Sequence, residues 1–127
     1  MTHNEITGII IETSIRIHRQ LGPGLLESVY RSVLGYELRK QGFHVLVEEP
    51  IPLVWDEMRL ELGFRADLIV NDMIVVETKS VESIHPVHKK QLLTYLRITD
   101  KRLGLLINFN VELLKEGVTR VVNNLPE

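Results

Sequence analysis

The first part of the chain carries apolar residues at helical spacing, which predicts two helices. The apolar face of the first helix consists of Ile6, Ile10, Ile17 and Leu21. This helix is expected to end in the Gly-Pro-Gly segment 22–24, because glycine and proline do not continue a helix. A second helix is predicted over 25–41, with a stop at Gly42. Its apolar face is predicted to consist of Leu26, Val29, Tyr30, Val33 and Leu34.

A strand pattern replaces the helical pattern after position 44. Residues 45–55 are largely β-branched or apolar. Pro50 and Pro52 place this strand at a sheet edge or at a bend, because proline cannot donate to a β-ladder. A turn at 56–57 leads into a second strand. One face of that strand is predicted from alternating residues, namely Leu60, Leu62, Phe64, Ala66 and Leu68.

The rest of the chain alternates between strand and helix. Residues 73–79 have the pattern of a third strand, and a helix is predicted over 86–99, which begins with a proline at the favoured first position. The uninterrupted apolar run 103–109 is typical of a strand buried on both faces. A helical turn over 111–115 and a last short strand over 118–122 complete the prediction.

The predicted order of elements specifies an α/β fold. Two helices precede an antiparallel meander of three strands, and then a helix leads to a buried strand, which is the order α-α-β-β-β-α-β. The connection through that helix should be a right-handed crossover, so the third and fourth strands are expected to be parallel. A mixed β-sheet flanked by helices follows. With 127 residues, the chain is expected to form one domain over 1–127.

Composition excludes several classes of site and location. The chain is 44% hydrophobic and 25% charged, as expected of a soluble globular domain. It has no cysteine, which excludes disulfides, thiolate metal sites and a cysteine nucleophile. No apolar run is long enough to cross a membrane, and the N-terminus has no targeting pattern, so the expected location is cytoplasmic. The net charge of −2 means that any nucleic-acid binding must use local patches or a metal ion.

Three charged residues interrupt the predicted strands, namely Asp67, Glu77 and Lys79. Residues two apart on a strand point to the same face, so Glu77 and Lys79 should project side by side. Burying an unpaired carboxylate is costly, and a lysine or a divalent cation would offset that cost. Because Mg²⁺ favours oxygen ligands, Asp67, Glu77 and the carbonyl of Thr78 form a candidate metal site. The alternative is an ordinary ion pair between Lys79 and either acid.

The turn between the second and third strands decides whether Asp67 and Glu77 meet. With a two-residue turn at 71–72, Val70 would pair with Met73, and the two acids would face opposite sides of the sheet. They share a face if the loop contains three residues or if a β-bulge intervenes. We therefore predict such an irregularity, and a regular two-residue hairpin would contradict the metal-site hypothesis.

Several motifs resemble one family of small bacterial and archaeal proteins. Gly24, Glu27 and Tyr30 fit its G-x-x-E-x-x-Y signature. Further similarity lies in the segments 65–68, 77–79 and 105–110, and the match extends over 6–122. This GxxExxY family is placed in the PD-(D/E)XK nuclease superfamily. The resemblance implies a restriction-endonuclease-like PD-(D/E)XK core and metal-dependent cleavage of nucleic acid, with DNA as the expected substrate.

The resemblance also implies roles for individual residues. Asp67 and Glu77 would bind Mg²⁺ or Mn²⁺, and Lys79 would assist the attacking water. The superfamily's proline before the aspartate is alanine here, a change that removes no ligand. Glu27 matches the family's own glutamate and would join the metal site. Alternatively, Glu27 complements the helix dipole or pairs with Arg31 one turn further along.

A second resemblance concerns the predicted helix 86–99. Gln91 and Tyr95 are similar to the Q-x-x-x-Y motif of nucleases attached to recombination helicases. On a helix, His88, Gln91 and Tyr95 fall on one face, where they could present donors to a phosphate or to a metal-bound water. The alternative is that Tyr95 belongs partly to the core and Gln91 caps a strand edge.

Three functions follow as hypotheses. The first is a Mg²⁺- or Mn²⁺-dependent nuclease, and the second is a catalytically silent nuclease-fold module that binds nucleic acid or a partner protein. The third is a hydrolase of small phosphoesters. The basic stretch 85–90 could hold a phosphate backbone, although a solvated helix face is equally ordinary. Phe43 and Trp55 are expected in the core, but Trp55 could instead lie in the interface of a homodimer, the commonest assembly.

Overall fold

The structure is a computed structural model that describes residues 1–126. These residues form three α-helices, five strands and a short 3₁₀ helix. In chain order the elements are α1 His3–Leu21, α2 Glu27–Lys40, β1 Val45–Trp55, β2 Met58–Val70, β3 Ile74–Lys79, α3 Pro86–Thr99, β4 Leu103–Asn108, the 3₁₀ helix Leu114–Gly117 and β5 Val118–Val122. No helix of the described residues is long and apolar enough to cross a membrane.

The five strands form one sheet in which spatial order follows chain order, β1-β2-β3-β4-β5. Strands β3 and β4 are parallel and are joined through α3, whereas every other neighbouring pair is antiparallel. The predicted mixed sheet, its parallel pair and the edge position of β1 are therefore confirmed. The fold is α/β with three flanking helices, consistent with a PD-(D/E)XK nuclease fold.

The helices cover the two faces of the sheet and create two apolar cores. The larger core lies under α1 and α2, and its best buried members include Ile6, Ile10, Tyr30, Leu34, Leu38, Leu68, Val76, Leu105 and Phe109. The smaller core lies under α3 and consists of Ala66, Ile69, Val75, Leu92, Leu96 and Leu106. Strand β4 contributes to both cores and is buried at every position, as its uninterrupted apolar run predicts.

Local sequence signals explain the ends of α1. At its start, the hydroxyl of Thr2 accepts from the amide of Glu5, and the Glu5 carboxylate accepts from the amide of Thr2, which makes a capping box. At its end, Gly22 has φ 74° and follows the last helical residue, Leu21. The predicted termination of the helix in the segment 22–24 is confirmed.

The predicted apolar face of α2 is wrong in its first turn. Leu26 lies before the helix and is 75% exposed, and Val29 is 37% exposed. The helix approaches the sheet most closely at Gly35, where an added Cβ would lie 3.3 Å from a side chain of β1. The orientation that this contact imposes sets the buried face, which consists of Tyr30, Leu34, Gly35 and Leu38.

Side chains along β1 and β2 alternate between the two faces of the sheet. This alternation shifts by one residue where Glu48 lies opposite Asp67. Leu68 belongs to the core under α1 and α2, whereas Ala66 and Phe64 pack in the core under α3. The backbone of Glu48 is left-handed, with φ 51°. The prediction of one continuous face along the second strand is therefore wrong, because it assumed a regular ladder.

The loop between β2 and β3 contains three residues. Val70 pairs with Ile74, so the loop consists of 71–73, and Asn71 and Asp72 have φ values of 51° and 55°. The predicted irregularity between these strands is confirmed, and β3 begins one residue later than predicted. The helical turn predicted over 111–115 forms instead as the 3₁₀ helix Leu114–Gly117.

Beyond the part of the sheet that α3 covers and past a register shift between Ile51 and Leu53, β1 and β2 continue as a two-stranded ribbon over 53–60, here called the β1–β2 arm. Trp55 lies near its tip and is 73% exposed, so the expectation that this residue belongs to the core is wrong. Phe43, the other aromatic residue that flanks β1, is buried as predicted.

Candidate functional site

The candidate site lies where β2 separates from β3. The backbone pairing of these strands ends at Leu68 and Val76. One residue earlier on β2, Oδ2 of Asp67 accepts hydrogen bonds from the backbone amide of Thr78 at 2.9 Å and from its hydroxyl at 3.1 Å. A side-chain carboxylate thus takes the place that a backbone carbonyl has in a regular ladder, and it fixes Asp67 against β3.

Glu77 lies beside this carboxylate and is buried, with 6% of its surface exposed. Its Oε1 atom has no hydrogen-bond partner among the described residues. Burial, followed by the charge of the neighbouring Asp67 and a hydrogen bond with it, raises the pKa of Glu77 from 4.5 to about 9. Glu77 therefore keeps its proton at neutral pH in the absence of a cation, because its pKa lies well above 7.

Lys79 is the last residue of β3 and lies near both acids. Its charge partly counteracts the rise in the pKa of Glu77 and of Glu27, and it lowers the pKa of His88 after the larger effect of burial. Within the described residues, Lys79 forms no ion pair closer than 4.0 Å. The alternative interpretation of Lys79 as an ordinary ion-pair partner therefore finds no support in this geometry.

The loop between α1 and α2 brings Glu27 to the site. The hydroxyl of Tyr30 donates to the carbonyl of Gly22 at 2.6 Å and accepts from the amide of Leu25 at 3.1 Å. The hydroxyl of Ser80 donates to the carbonyl of Leu25 at 2.7 Å, which fastens the loop to the residue after Lys79. The tyrosine of the G-x-x-E-x-x-Y motif is thus buried and holds the segment that precedes Glu27.

The electrostatics of Glu27 agree with this position. Partial burial raises the pKa of Glu27, and the charge of Asp67 raises it as well, whereas Lys79 and Arg31 lower it. Glu27 is therefore close enough to Asp67 and Lys79 to sense their charges. The alternative pairing of Glu27 with Arg31 is not among the ion pairs of residues 1–126.

Arg31 instead contacts two acids on the strands. Its guanidinium lies 3.0 Å from Glu48 and 3.7 Å from Oδ1 of Asp67, and its side chain is 15% exposed. From the sequence, Arg31 was expected only as a partner of Glu27 on the same helix. Its pairing with Glu48 depends on the left-handed residue in β1, for which the sequence gives no signal.

Helix α3 places Tyr95 over the same end of the sheet. The ring of Tyr95 stacks on Phe64 with centroids 3.8 Å apart. Burial raises the pKa of Tyr95, and the charges of Glu77 and Asp67 raise it further, so the hydroxyl stays a proton donor near these acids. Gln91 lies one turn before Tyr95 and is exposed. Both interpretations of Tyr95 therefore apply in part, since its ring packs on the sheet and its hydroxyl lies close enough to the carboxylates for their charges to raise its pKa.

The basic residues of the sequence differ in whether they are free to bind a ligand. His18 is buried and its Nε2 atom bonds to the carbonyl of Val111 at 2.8 Å. Lys101 pairs with Asp72 at 2.8 Å. In the basic stretch 85–90, His85, Lys89 and Lys90 are exposed, and the two lysines directly precede Gln91 on α3.

The carboxylates have the chemistry of a divalent-metal site, although their arrangement is incomplete. The unpartnered Oε1 of Glu77 is the kind of buried oxygen that a cation would compensate, and Asp67 supplies a second oxygen ligand beside it. In the described residues, no group of three or more His, Asp or Glu side chains is close enough to hold a metal ion. Asp67 and Glu77 are thus positioned to provide two ligands, whereas Glu27 does not complete a group of three with them.

Comparison with protein families supports the same assignment. A model of the PD-(D/E)XK nuclease superfamily matches residues 4–121, which is nearly the whole chain. The chain belongs to the PD-(D/E)XK nuclease superfamily. Nucleases of this superfamily generally use divalent metal ions, and membership suggests nuclease activity with nucleic acid as the substrate. No curated protein and no solved structure matches the chain.

The structure contains a further buried polar residue near the site that was not predicted from the sequence. Asn108, at the end of β4, is buried, and its Oδ1 accepts from the amides of Val81 and Asn110, both at 3.1 Å. Its Nδ2 donates to the carbonyl of Val81 at 2.9 Å. Asn108 therefore holds the segment that follows β3 and its two site residues. The signal in the sequence that could have identified Asn108 is a polar residue at the end of an otherwise apolar strand.

Proposed function

We propose that this protein is a metal-dependent nuclease that hydrolyses phosphodiester bonds of nucleic acid, with DNA as the expected substrate. The proposal rests on one observation. Asp67 lies beside the buried Glu77 where β2 and β3 separate, and one carboxylate oxygen of Glu77 has no hydrogen-bond partner among the described residues. We further propose that residues 1–127 form one cytoplasmic domain of the GxxExxY family. Membership of the PD-(D/E)XK superfamily supports this proposal.

The proposed metal ligands are Asp67, Glu77, the carbonyl of Thr78 and Glu27, with Mg²⁺ or Mn²⁺ as the ion. Thr78 fits because its amide points toward Asp67, and in a strand the carbonyl of a residue points to the same side as its amide. Glu27 would close the set by rotation of its side chain or through a water. When bound, such an ion lowers the pKa of a water ligand and polarises a phosphoryl oxygen.

The remaining site residues act on the water and the phosphate. Lys79, which is free of ion pairs within the described residues, would orient the attacking water and stabilise negative charge that develops on the phosphate. Tyr95 keeps its proton because its pKa is raised, so it can donate a hydrogen bond to a phosphate oxygen. Gln91, one turn away, would provide a second donor. These three residues are the proposed catalytic partners of the two acids.

A second candidate function is a silent module that keeps the fold and binds nucleic acid or a partner protein. The overall charge of −2 favours the form of this candidate that binds a partner protein, since a protein that holds a polyanion usually presents a net positive surface. The two candidates make different predictions about turnover, and one assay separates them.

The test is cleavage of labelled single- and double-stranded DNA and RNA with Mg²⁺, Mn²⁺ or EDTA. Glu77→Ala and Lys79→Ala are expected to abolish cutting. The controls Glu12→Ala and Lys115→Ala replace exposed residues of the same charge that lie outside the candidate site, and they should leave cutting unchanged. Cleavage that persists in EDTA or in both site variants would contradict the proposal. Binding of Mn²⁺ without cleavage of any polymer would favour the silent module, and cleavage of small phosphoesters alone would favour the third hypothesis.

A further inference from the structure

The β1–β2 arm exposes an unusual amount of apolar side chain. Trp55 is 73% exposed, Met58 53% and Leu60 44%. The chain has 1 tryptophan, and it lies here rather than in either core. Isolated exposed apolar residues are common on protein surfaces, whereas a contiguous group at the end of a ribbon indicates an interaction surface.

The apolar residues at 53, 55, 58 and 60 lie together on one face of the arm, whereas the exposed Val54 lies on the other face. Leu53 pairs with Leu60, and Trp55 pairs with Met58. Residues directly opposite in an antiparallel pair share a face, and so do residues two apart along a strand. These four side chains therefore form one apolar stripe, here called the arm stripe. The opposite face carries a different composition, with Val54 paired to Arg59.

A register shift between Ile51 and Leu53 separates the arm stripe from the smaller core. Phe64 and Ile51 lie further along the same ribbon and pack in the core under α3, where Tyr95 stacks on Phe64. Helix α3 thus covers the root of the ribbon, and the arm stripe lies beyond that cover. An exposed apolar surface of this kind is suited to a partner that contributes apolar side chains of its own.

The area of the arm stripe is appropriate for a second copy of the same chain. The exposed fractions of its members correspond to on the order of 400 Å² of apolar surface per chain. A standard interface buries about 800 Å² per partner, so the stripe supplies about half of it before the backbone and flanking side chains are counted. A ribbon face is also self-complementary, as a twofold interface requires, because two flat apolar stripes can pack against each other.

Charge complementarity favours the same partner. The tip of the arm carries two exposed acids, Asp56 and Glu57. Helix α3, which flanks the root, contains no acidic residue, and its exposed basic residues are Lys89, Lys90 and Arg97. If two arms pack face to face in antiparallel orientation, the acidic tip of each arm reaches the basic helix at the root of the other. The same acids would repel a nucleic-acid backbone.

We propose that the β1–β2 arm is a homodimerisation element in which two arm stripes pack antiparallel about a twofold axis. The proposal does not depend on nuclease activity. It assigns a role to the exposed tryptophan, to the acidic tip and to the length by which the ribbon extends beyond α3. The acidic tips add a component that weakens with salt, whereas the contact between the stripes does not depend on salt.

The first test is sedimentation velocity of the full chain over a range of concentrations. Wild type is expected to dimerise, and Trp55→Glu is expected to raise the dimer dissociation constant at least about 30-fold, because it replaces the largest apolar side chain of the stripe by a charge. Val54→Glu is the matched control, since Val54 is the preceding residue, is 60% exposed and lies on the opposite face. Circular dichroism is used to check that both variants fold. An equal loss in both variants would refute the proposed face.

A second measurement uses the single tryptophan and the absence of cysteine. The emission of Trp55 should shift to shorter wavelength as wild type is concentrated, because the indole leaves water. Leu60→Cys should form a disulfide-linked dimer under mild oxidation, while Arg59→Cys, on the opposite face, should not. A monomer at every concentration, or an emission shift produced only by added DNA, would overturn the proposal.

Discussion

Replacing Glu77 by glutamine is expected to stabilise the metal-free protein at neutral and alkaline pH. In the folded protein the pKa of Glu77 is about 9, against 4.5 for an exposed glutamate, chiefly because of burial and then of Asp67. Between these values the folded state holds a proton that the unfolded state has lost, so the free energy of unfolding falls as pH rises. The contribution is complete below pH 4.5 and fully lost above about pH 9.

The size of the effect follows from the same pKa values. Each pH unit above 4.5 costs about 1.4 kcal/mol, which gives about 3 kcal/mol at pH 7. A glutamine amide is neutral at every pH and can donate to Asp67 as the protonated acid does, so Glu77→Gln removes this loss. The free energy of unfolding of the variant should therefore exceed that of wild type by up to about 3 kcal/mol at pH 7.

The assay is urea unfolding in EDTA at several pH values from 5 to 9, with wild type and Glu77→Gln side by side. Glu12→Gln serves as the control, because it removes the same charge from an exposed helical position. The difference between Glu77→Gln and wild type should grow with pH, while the control should follow wild type. Parallel pH dependences for all three proteins would refute the assignment of a buried, protonated Glu77.

Three further predictions concern the supports of the site. Tyr30→Phe removes a hydroxyl that makes two hydrogen bonds to the α1–α2 loop and should lower the free energy of unfolding by about 1–3 kcal/mol; Tyr36→Phe, at a 63% exposed position, should have no effect in the same urea titration. Asn108→Ala removes three hydrogen bonds of a buried side chain and should cost about 2–4 kcal/mol, measured by thermal unfolding; an unchanged melting temperature would contradict the holding role of Asn108. Glu27→Gln should weaken Mn²⁺ binding in calorimetry without loss of stability, and unchanged affinity would remove Glu27 from the proposed ligands.

Hydrophobic periodicity predicted the order of elements because each element satisfies its own local pattern. Residues 103–107 carry no polar side chain since β4 lies between two helical layers, and the parallel crossover follows from the handedness of chain connections. The same reasoning failed along β2. Alternation carries no information about a shifted ladder, so Leu68 was assigned to the face of Ala66, and the exposed arm was taken for an ordinary half-buried strand.

The candidate site was predictable only in part. Asp67, Glu77 and Lys79 can be recognised in the sequence because they interrupt apolar strands. The alternation of side chains along the strands also shows that the two acids can meet only if the loop between β2 and β3 has three residues or a bulge intervenes. The pairing of Arg31 with Glu48 joins a helix to a left-handed residue of a distant strand. Such a contact exists only after the fold has formed, and no local pattern in the sequence encodes it.

The hydrogen bonds from Thr78 to Asp67 have a consequence for how such a protein could lose its activity. The Asp67 carboxylate closes a gap in the β-ladder, so an alanine there would open the sheet as well as remove a charge. An asparagine would keep the acceptor and discard only the charge. A descendant that abandoned catalysis while retaining the fold should therefore accept asparagine at position 67 far more readily than any apolar residue. Position 67 would then keep a polar side chain for structural reasons, long after selection on chemistry had ended.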